Sequence, residues 1–77
     1  MKKLLKYIIT AIVDHPEDVK IEEEETEEQI LIKISVHPED AGKVIGKGGK
    51  IIKAIRRLAY ILATKRKKRL NIELVET

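Results

Sequence analysis

The sequence contains no cysteine, no tryptophan and no phenylalanine, and only two prolines and two tyrosines among its 77 residues. Without cysteine there is neither a disulfide framework nor a thiolate metal site, which fits a reducing compartment. The two histidines, His15 and His37, each precede a proline and are separated by 21 residues. With no close His/Asp/Glu cluster in the sequence, no metal and no cofactor are expected. No nucleophile–base pair stands out either, so the chain is not read as an enzyme. Long apolar runs are also missing. Lys6 interrupts the opening apolar stretch and Asp14 closes it before any cleavage site. No segment approaches the roughly 20 apolar residues of a membrane span. The expectation is a soluble cytoplasmic chain with no membrane contact. Its length allows one domain, taken as residues 1–77, with a thin core, since a chain this size buries only about 60% of its unfolded surface.

What the sequence has in abundance is charge, and the signs are separated. Residues 1–40 hold five basic and eleven acidic residues, a net −6. Residues 41–72 hold eleven basic residues and no acid, and the last five residues add −2 to close at +3. One strongly positive face follows, the electrostatic footprint of a polyanion binder. Lys65–Arg69 have a simpler reading too, as cations that complement the end of a helix dipole.

Hydrophobic spacing gives the elements. Leu4, Leu5, Ile8, Ala11 and Ile12 recur at helical intervals and predict a helix over 2–13. Asp14-His15-Pro16 ends it. Val19 and Ile21 suggest an edge strand running into Glu22–Glu25, an acidic run read as a solvated hairpin tip. Ile30, Ile32, Ile34 and Val36 alternate with Leu31, Lys33 and Ser35, the clearest strand pattern in the chain. His37-Pro38-Glu39-Asp40 opens a short helix reaching Ile45, and His15-Pro16-Glu17-Asp18 has the same look. A longer helix follows from Lys50 to about Lys67. Ile51, Ile55, Leu58 and Leu62, joined by Ile52 and Ala59, form its expected core stripe, and Lys53, Arg57, Tyr60 and Thr64 its outer one. Leu70, Ile72 and Leu74 close with a strand. The order α-β-β-α-α-β predicts an α+β fold: a three-stranded mixed sheet with three helices on one face.

Between the two later helices lies Val44-Ile45-Gly46-Lys47-Gly48-Gly49-Lys50-Ile51-Ile52. Glycines let the chain reverse sharply and leave its backbone uncovered. A phosphate can then approach backbone N–H groups and the positive end of the next helix. Lys47 at the tip, flanked by Lys43 and Lys50, adds charge. Two nucleotide loops are excluded. Gly42 and Gly46 are one residue too close for a P-loop, and Gly48 stands where its Ser/Thr should be. Ile51 takes the place of the third glycine of a dinucleotide fingerprint, and no strand precedes the loop.

This segment resembles the signature of KH domains, in which an apolar pair is followed by G-x-x-G and an apolar helix. Gly46-Lys47-Gly48-Gly49 match the glycine motif, and Val44, Ile45 and Ile52 the apolar positions. The element order is that of the type II KH arrangement. The length, the opening helix ending in Asp14-His15-Pro16-Glu17, and the basic helix are similar to the KhpA family of small bacterial single-KH proteins. The resemblance implies a grip on about four nucleotides of single-stranded RNA, or sometimes DNA. Gly46, Lys47, Gly48 and Gly49 would contact phosphates. Val44, Ile45 and Ile52 would line or support an apolar groove between the helices and the central strand. Lys43, Lys50, Lys53, Arg56 and Arg57 extend that site by charge and helix geometry. A role as a small RNA chaperone or regulator is implied, as is pairing into a homodimer or with a larger KH-containing protein. Two tyrosines are too few for the stacking platforms of RRM, OB and cold-shock surfaces, whereas an aliphatic groove does without them. Two other readings stay open: a helix-turn-helix DNA binder over residues 38–62, and an interaction module in which Tyr60 touches a protein partner.

Overall fold

The alternating segment becomes the centre of the sheet. In the computed structural model, which describes residues 1–76, strand β2 (Gln29–Val36) lies between β1 (Lys20–Glu25) and β3 (Arg69–Glu76). It pairs antiparallel with β1 and parallel with β3. Ile30, Ile32, Ile34 and Val36 are completely buried, while Lys33 on the opposite face is exposed. Helices α1 (Lys2–Ile12), α2 (Ala41–Ile45) and α3 (Lys50–Lys65) supply the rest of the core, chiefly Leu5, Ile9, Val44, Ile52 and Ile55. At about 1.5–3 kcal/mol per fully buried aliphatic side chain, this seam holds the domain together. The architecture is the expected α+β, type II KH arrangement.

Two expectations are corrected. Glu22–Glu25 are not a hairpin tip but lie within β1, and the turn is formed at residues 26–28. Thr26 closes that turn by accepting the backbone N–H of Gln29 on its hydroxyl at 3.1 Å. The register explains how an acidic run tolerates a strand. Glu22 lies opposite Lys33, which lies opposite Glu73 on the other side, and Glu25 bonds Arg66 at 2.9 Å and Lys68 at 2.5 Å. Glu23 points to the inner face, where one carboxylate oxygen is buried without a partner among the described residues. An inward charge on an edge strand discourages pairing with another chain.

The second correction concerns α3. Its buried stripe is Ile52, Ile55, Ala59 and Ala63, while Ile51 and Leu58 are 38% and 36% exposed. Small residues let the helix approach the sheet closely, so the alanines take the seam and the larger side chains flank it. The helix also ends sooner, at Lys65. Of the two His-Pro-Glu-Asp segments, only the second leads into a helix. The first is an isolated 3-10 turn at Pro16–Asp18 that feeds β1.

Candidate nucleic-acid interface

Helix α2 stops at Gly46, whose φ of 76° and ψ of 170° belong to a region open essentially to glycine alone. Space is equally short: a Cβ there would sit 2.7 Å from Cγ1 of Ile51. Gly48 and Gly49 also have positive φ, 66° and 75°. The Gly46 N–H donates to the Gly42 carbonyl at 2.9 Å, and the Gly49 N–H donates to the Gly46 carbonyl at 3.0 Å, fixing a tight turn. Around Gly48 nothing lies within 4 Å of where a side chain would begin. The loop is thus rigid in backbone and open on its outer side. Helix α3 starts directly after it, with no side-chain cap and no acid in its first turn. No carboxylate of its own first turn offsets the positive end of the helix dipole.

Along α3 from the loop, Lys53, Arg56, Arg57 and Tyr60 face Leu70, Asn71 and Ile72 of β3 across a hollow of about 570 Å³. The groove therefore opens between α3 and the edge strand, not beside the central strand as expected from the sequence. The reason is packing: the inner face of β2 is sealed, whereas β3 pairs only with β2 and keeps one row of backbone groups unpaired by any strand.

The expected site residues divide into two groups. Lys47, Lys50, Lys53, Arg56 and Arg57 are exposed and, among the described residues, form no ion pair. Gly46, Gly48 and Gly49 form the turn beside them. Val44 and Ile52 are core residues, 0% and 8% exposed, and support the loop from beneath instead of lining a groove. Ile45 stays 41% exposed beside it. Lys43 is turned away. Its ammonium pairs with the Asp14 carboxylate at the end of α1, and that contact holds its pKa above the ordinary value. Leu70, Asn71 and Ile72 carry no site signal in the sequence. Only the pairing of β3 with β2 as an edge brings them against α3.

Behind the loop lies a tether with no local sequence signature. Asp40, 1% exposed, accepts the backbone N–H groups of Asp14 at 3.1 Å and His15 at 2.8 Å. It thereby ties the end of α1 to the start of α2. Burial pushes its carboxyl up, but the two N–H donors and the charges of His15 and Lys43 outweigh burial and leave it below the ordinary 3.8. Nearby, His15 and His37 stack with ring centroids 4.1 Å apart, and with Glu39 they bring three possible metal-ligating atoms within 4.8 Å. The expected absence of a His/Asp/Glu cluster is corrected here, since the fold joins what the sequence separates. The hydrogen bonding gives these residues other work. Nδ1 of His37 accepts the Glu39 N–H at 3.1 Å, so the neutral ring carries its proton on Nε2 and has no second lone pair for a metal. His15 Nε2 lies 3.3 Å from a Glu39 carboxylate oxygen. That bond raises the His15 pKa against the effect of burial, helped by the charges of Asp40, Glu39 and Glu17.

A βααβ core with a three-glycine turn between its helices, preceded by an added helix and strand, defines a KH domain of the type II arrangement. The family model described as "KhpA/KhpB, KH domain" matches residues 2–74. The chain is 45% identical over 76 residues to RNA-binding protein KhpA of Halalkalibacterium halodurans, covering 99% of this chain and 100% of that protein. It is 47% identical over 76 residues to RNA-binding protein KhpA of Listeria monocytogenes, with the same coverage. With RNA-binding protein KhpA of Bacillus subtilis it shares 38% identity over 76 residues, 99% of this chain and 94% of that one. The chain belongs to the KhpA/KhpB KH-domain family, which is not a family of enzymes. No solved structure matches it. Among the described residues, no helix is long and apolar enough to cross a membrane.

Proposed function

We propose that the chain binds single-stranded RNA, with the glycine turn gripping the backbone and the α3–β3 groove receiving the bases. One observation carries the reading: Lys47 and Lys50 at the glycine turn and Lys53, Arg56 and Arg57 along the groove form one stretch of cations with no ion pair among the described residues, while Arg66, Lys68 and Lys43 are held by carboxylates. A positive stripe that runs from an open loop past an uncapped helix end suits a chain of phosphates. The relatives' name, RNA-binding protein KhpA, supports the same conclusion. Gly46, Lys47, Gly48, Gly49 and Lys50 contact phosphates, and Lys53, Arg56 and Arg57 guide the strand along the groove. Single-stranded DNA is a weaker ligand where 2′-hydroxyls are read. The role is that of a small cytoplasmic RNA chaperone or regulator. The helix-turn-helix reading has little support, since α2 has only five residues.

A second reading, pairing with another copy or with a larger KH-containing protein, draws on the apolar side chains left exposed on the helices. Ile61 is 50% exposed and Tyr7 76%. A lone grip of this size binds weakly, and a second module would raise its avidity.

Fluorescence anisotropy with a short labelled single-stranded RNA across a salt series tests the primary reading. Engaging about three phosphates gives a log–log salt slope of roughly −2. Lys47→Asp with Gly48→Asp reverses the loop's charge at a position with room for a side chain, where Asp tolerates the left-handed backbone better than most residues. This double variant is expected to stay folded by circular dichroism and to lose about a hundredfold or more in affinity. Equal binding by both proteins would remove the loop from the site.

A further inference from the structure

Past Tyr60 the surface dips a second time. A hollow of about 650 Å³ is lined by Glu27 and Glu28 of the hairpin turn, Tyr60 and Thr64 of α3, and Lys67 and Arg69 beyond it. Tyr60, 61% exposed, lines both hollows. The turn is held against β3 by the Arg69 N–H, which donates to the Glu28 carbonyl at 3.0 Å. Lys68 also lines this hollow but is engaged by Glu25, whereas Lys67 and Arg69 form no ion pair among the described residues. Lys67 closes the helix with φ at 59°, the one non-glycine residue with positive φ among those described. Its N–H donates to Thr64 at 2.9 Å, and that of Lys68 to Ala63 at 3.1 Å. Glycine is the usual residue at such a helix end.

The walls of this hollow differ in chemistry from the first groove. Carboxylates accept hydrogen bonds and donate none, so whatever meets Glu27 or Glu28 presents N–H groups and not phosphate oxygens. An exposed aromatic ring offers a stacking face. The cations in the lining suit a phosphate. Among the RNA bases, guanine alone presents two adjacent donors, N1–H and the N2 amino group, which one carboxylate can accept together. Adenine and cytosine place an acceptor beside their amino group, and uracil has a single N–H between two carbonyls.

We propose that this second hollow is a guanine-selective subsite for a nucleotide flanking the stretch held by the glycine turn and groove. Tyr60 stacks the base, Glu27 or Glu28 accepts its Watson–Crick donors, and Lys67 and Arg69 hold its phosphate. The inference rests on the RNA reading above and adds a specificity element to it.

The test compares labelled RNAs by anisotropy on the full chain. One has four nucleotides of mixed A, C and U; others extend it at either end with guanine, inosine or uracil. A guanine extension at one end is expected to bind about tenfold tighter than the matching uracil one, within what stacking and paired hydrogen bonds contribute. Inosine, which lacks the N2 amino group, loses most of that gain. Glu27→Gln with Glu28→Gln abolishes the preference for guanine and leaves binding of the four-nucleotide RNA intact. Lys67→Gly suits the backbone conformation there and reduces the gain from every extension severalfold. Guanine and uracil extensions that bind alike, or a preference that survives the double glutamine variant, would overturn the subsite while the short RNA still binds. If the wild type binds none of these RNAs, the RNA reading fails and the subsite falls with it.

Discussion

Replacing Gly46 by alanine is expected to destabilise the domain by about 3 kcal/mol, from backbone strain and a steric clash together. A small domain has only about 5–15 kcal/mol in total, so one methyl group removes a large part of it. The conformation at Gly46 is nearly closed to any other residue, and the new Cβ would meet both Cγ1 of Ile51 at 2.7 Å and its backbone nitrogen at 2.9 Å. Relief would require moving the first turn of α3, which carries Lys50 and Ile52. The same substitution at Gly42 serves as a control with the opposite sign. Gly42 lies within α2, and nothing lies within 4 Å of where its side chain would begin. Alanine there is expected to add about 0.5–1 kcal/mol by limiting the unfolded chain. Urea unfolding followed by circular dichroism would separate the two. Similar midpoints for both variants would mean that the loop is not held in this conformation.

Asp40→Asn is expected to lower the thermal midpoint by roughly 10 °C despite its near-identical shape. The two carboxylate oxygens accept separate N–H groups from Asp14 and His15. An amide offers one acceptor, and its NH2 group would face the other N–H. Asp40→Ala leaves both part-buried donors without this partner and is expected to cost a similar amount. The pH dependence follows in sign. The Asp40 carboxyl in the folded chain lies below its ordinary 3.8, so its contribution is present above that value and is lost as pH falls through the lower, folded one. Glu25 acts likewise below its ordinary 4.5, chiefly through its bond from Lys68, against burial and with help from Arg66. His15, raised above 6.5, contributes in the other direction: its part is complete below 6.5 and fades as pH rises through the raised value. Stability should therefore be greatest in mildly acidic solution. Asp40→Asn should flatten the acid side of the curve, leaving the part that belongs to Glu25. An unchanged acid limb would show that Asp40 is not the tether.

Much of this is legible in the sequence because the signals are local. Alternation over 29–36 marks the buried strand, and the glycine cluster marks the sharp turn between two helices. The element order then leaves few ways to close the sheet. What escapes depends on contacts between distant segments. The acidic end of β1, Glu22–Glu25, reads as a hairpin tip until Lys33 is placed opposite Glu22. Ala63 carries little hydrophobic weight in a sequence pattern, yet with Ala59 it lets α3 settle on the sheet, where Ile51 and Leu58 read as core but stay partly exposed. Asp40 looks like one more acid in a first helical turn, and its partners lie 25 and 26 residues earlier. The site shows the same division. The glycines and lysines of the loop announce themselves, but Lys43 reads as one of the loop's cations because its partner, Asp14, sits at the end of another helix. The groove's second wall comes from strand order, which no single segment encodes.

The most direct test of the central claim is a two-dimensional NMR titration of the labelled chain with a short single-stranded RNA. Amide signals of Gly46–Lys50, of Lys53, Arg56 and Arg57, and of Leu70–Ile72 should shift together as RNA is added. Those of β1 and of the exposed side of α1 should stay in place. Shifts confined to α1 or to the outer face of the sheet, with the glycine turn unmoved, would contradict the account.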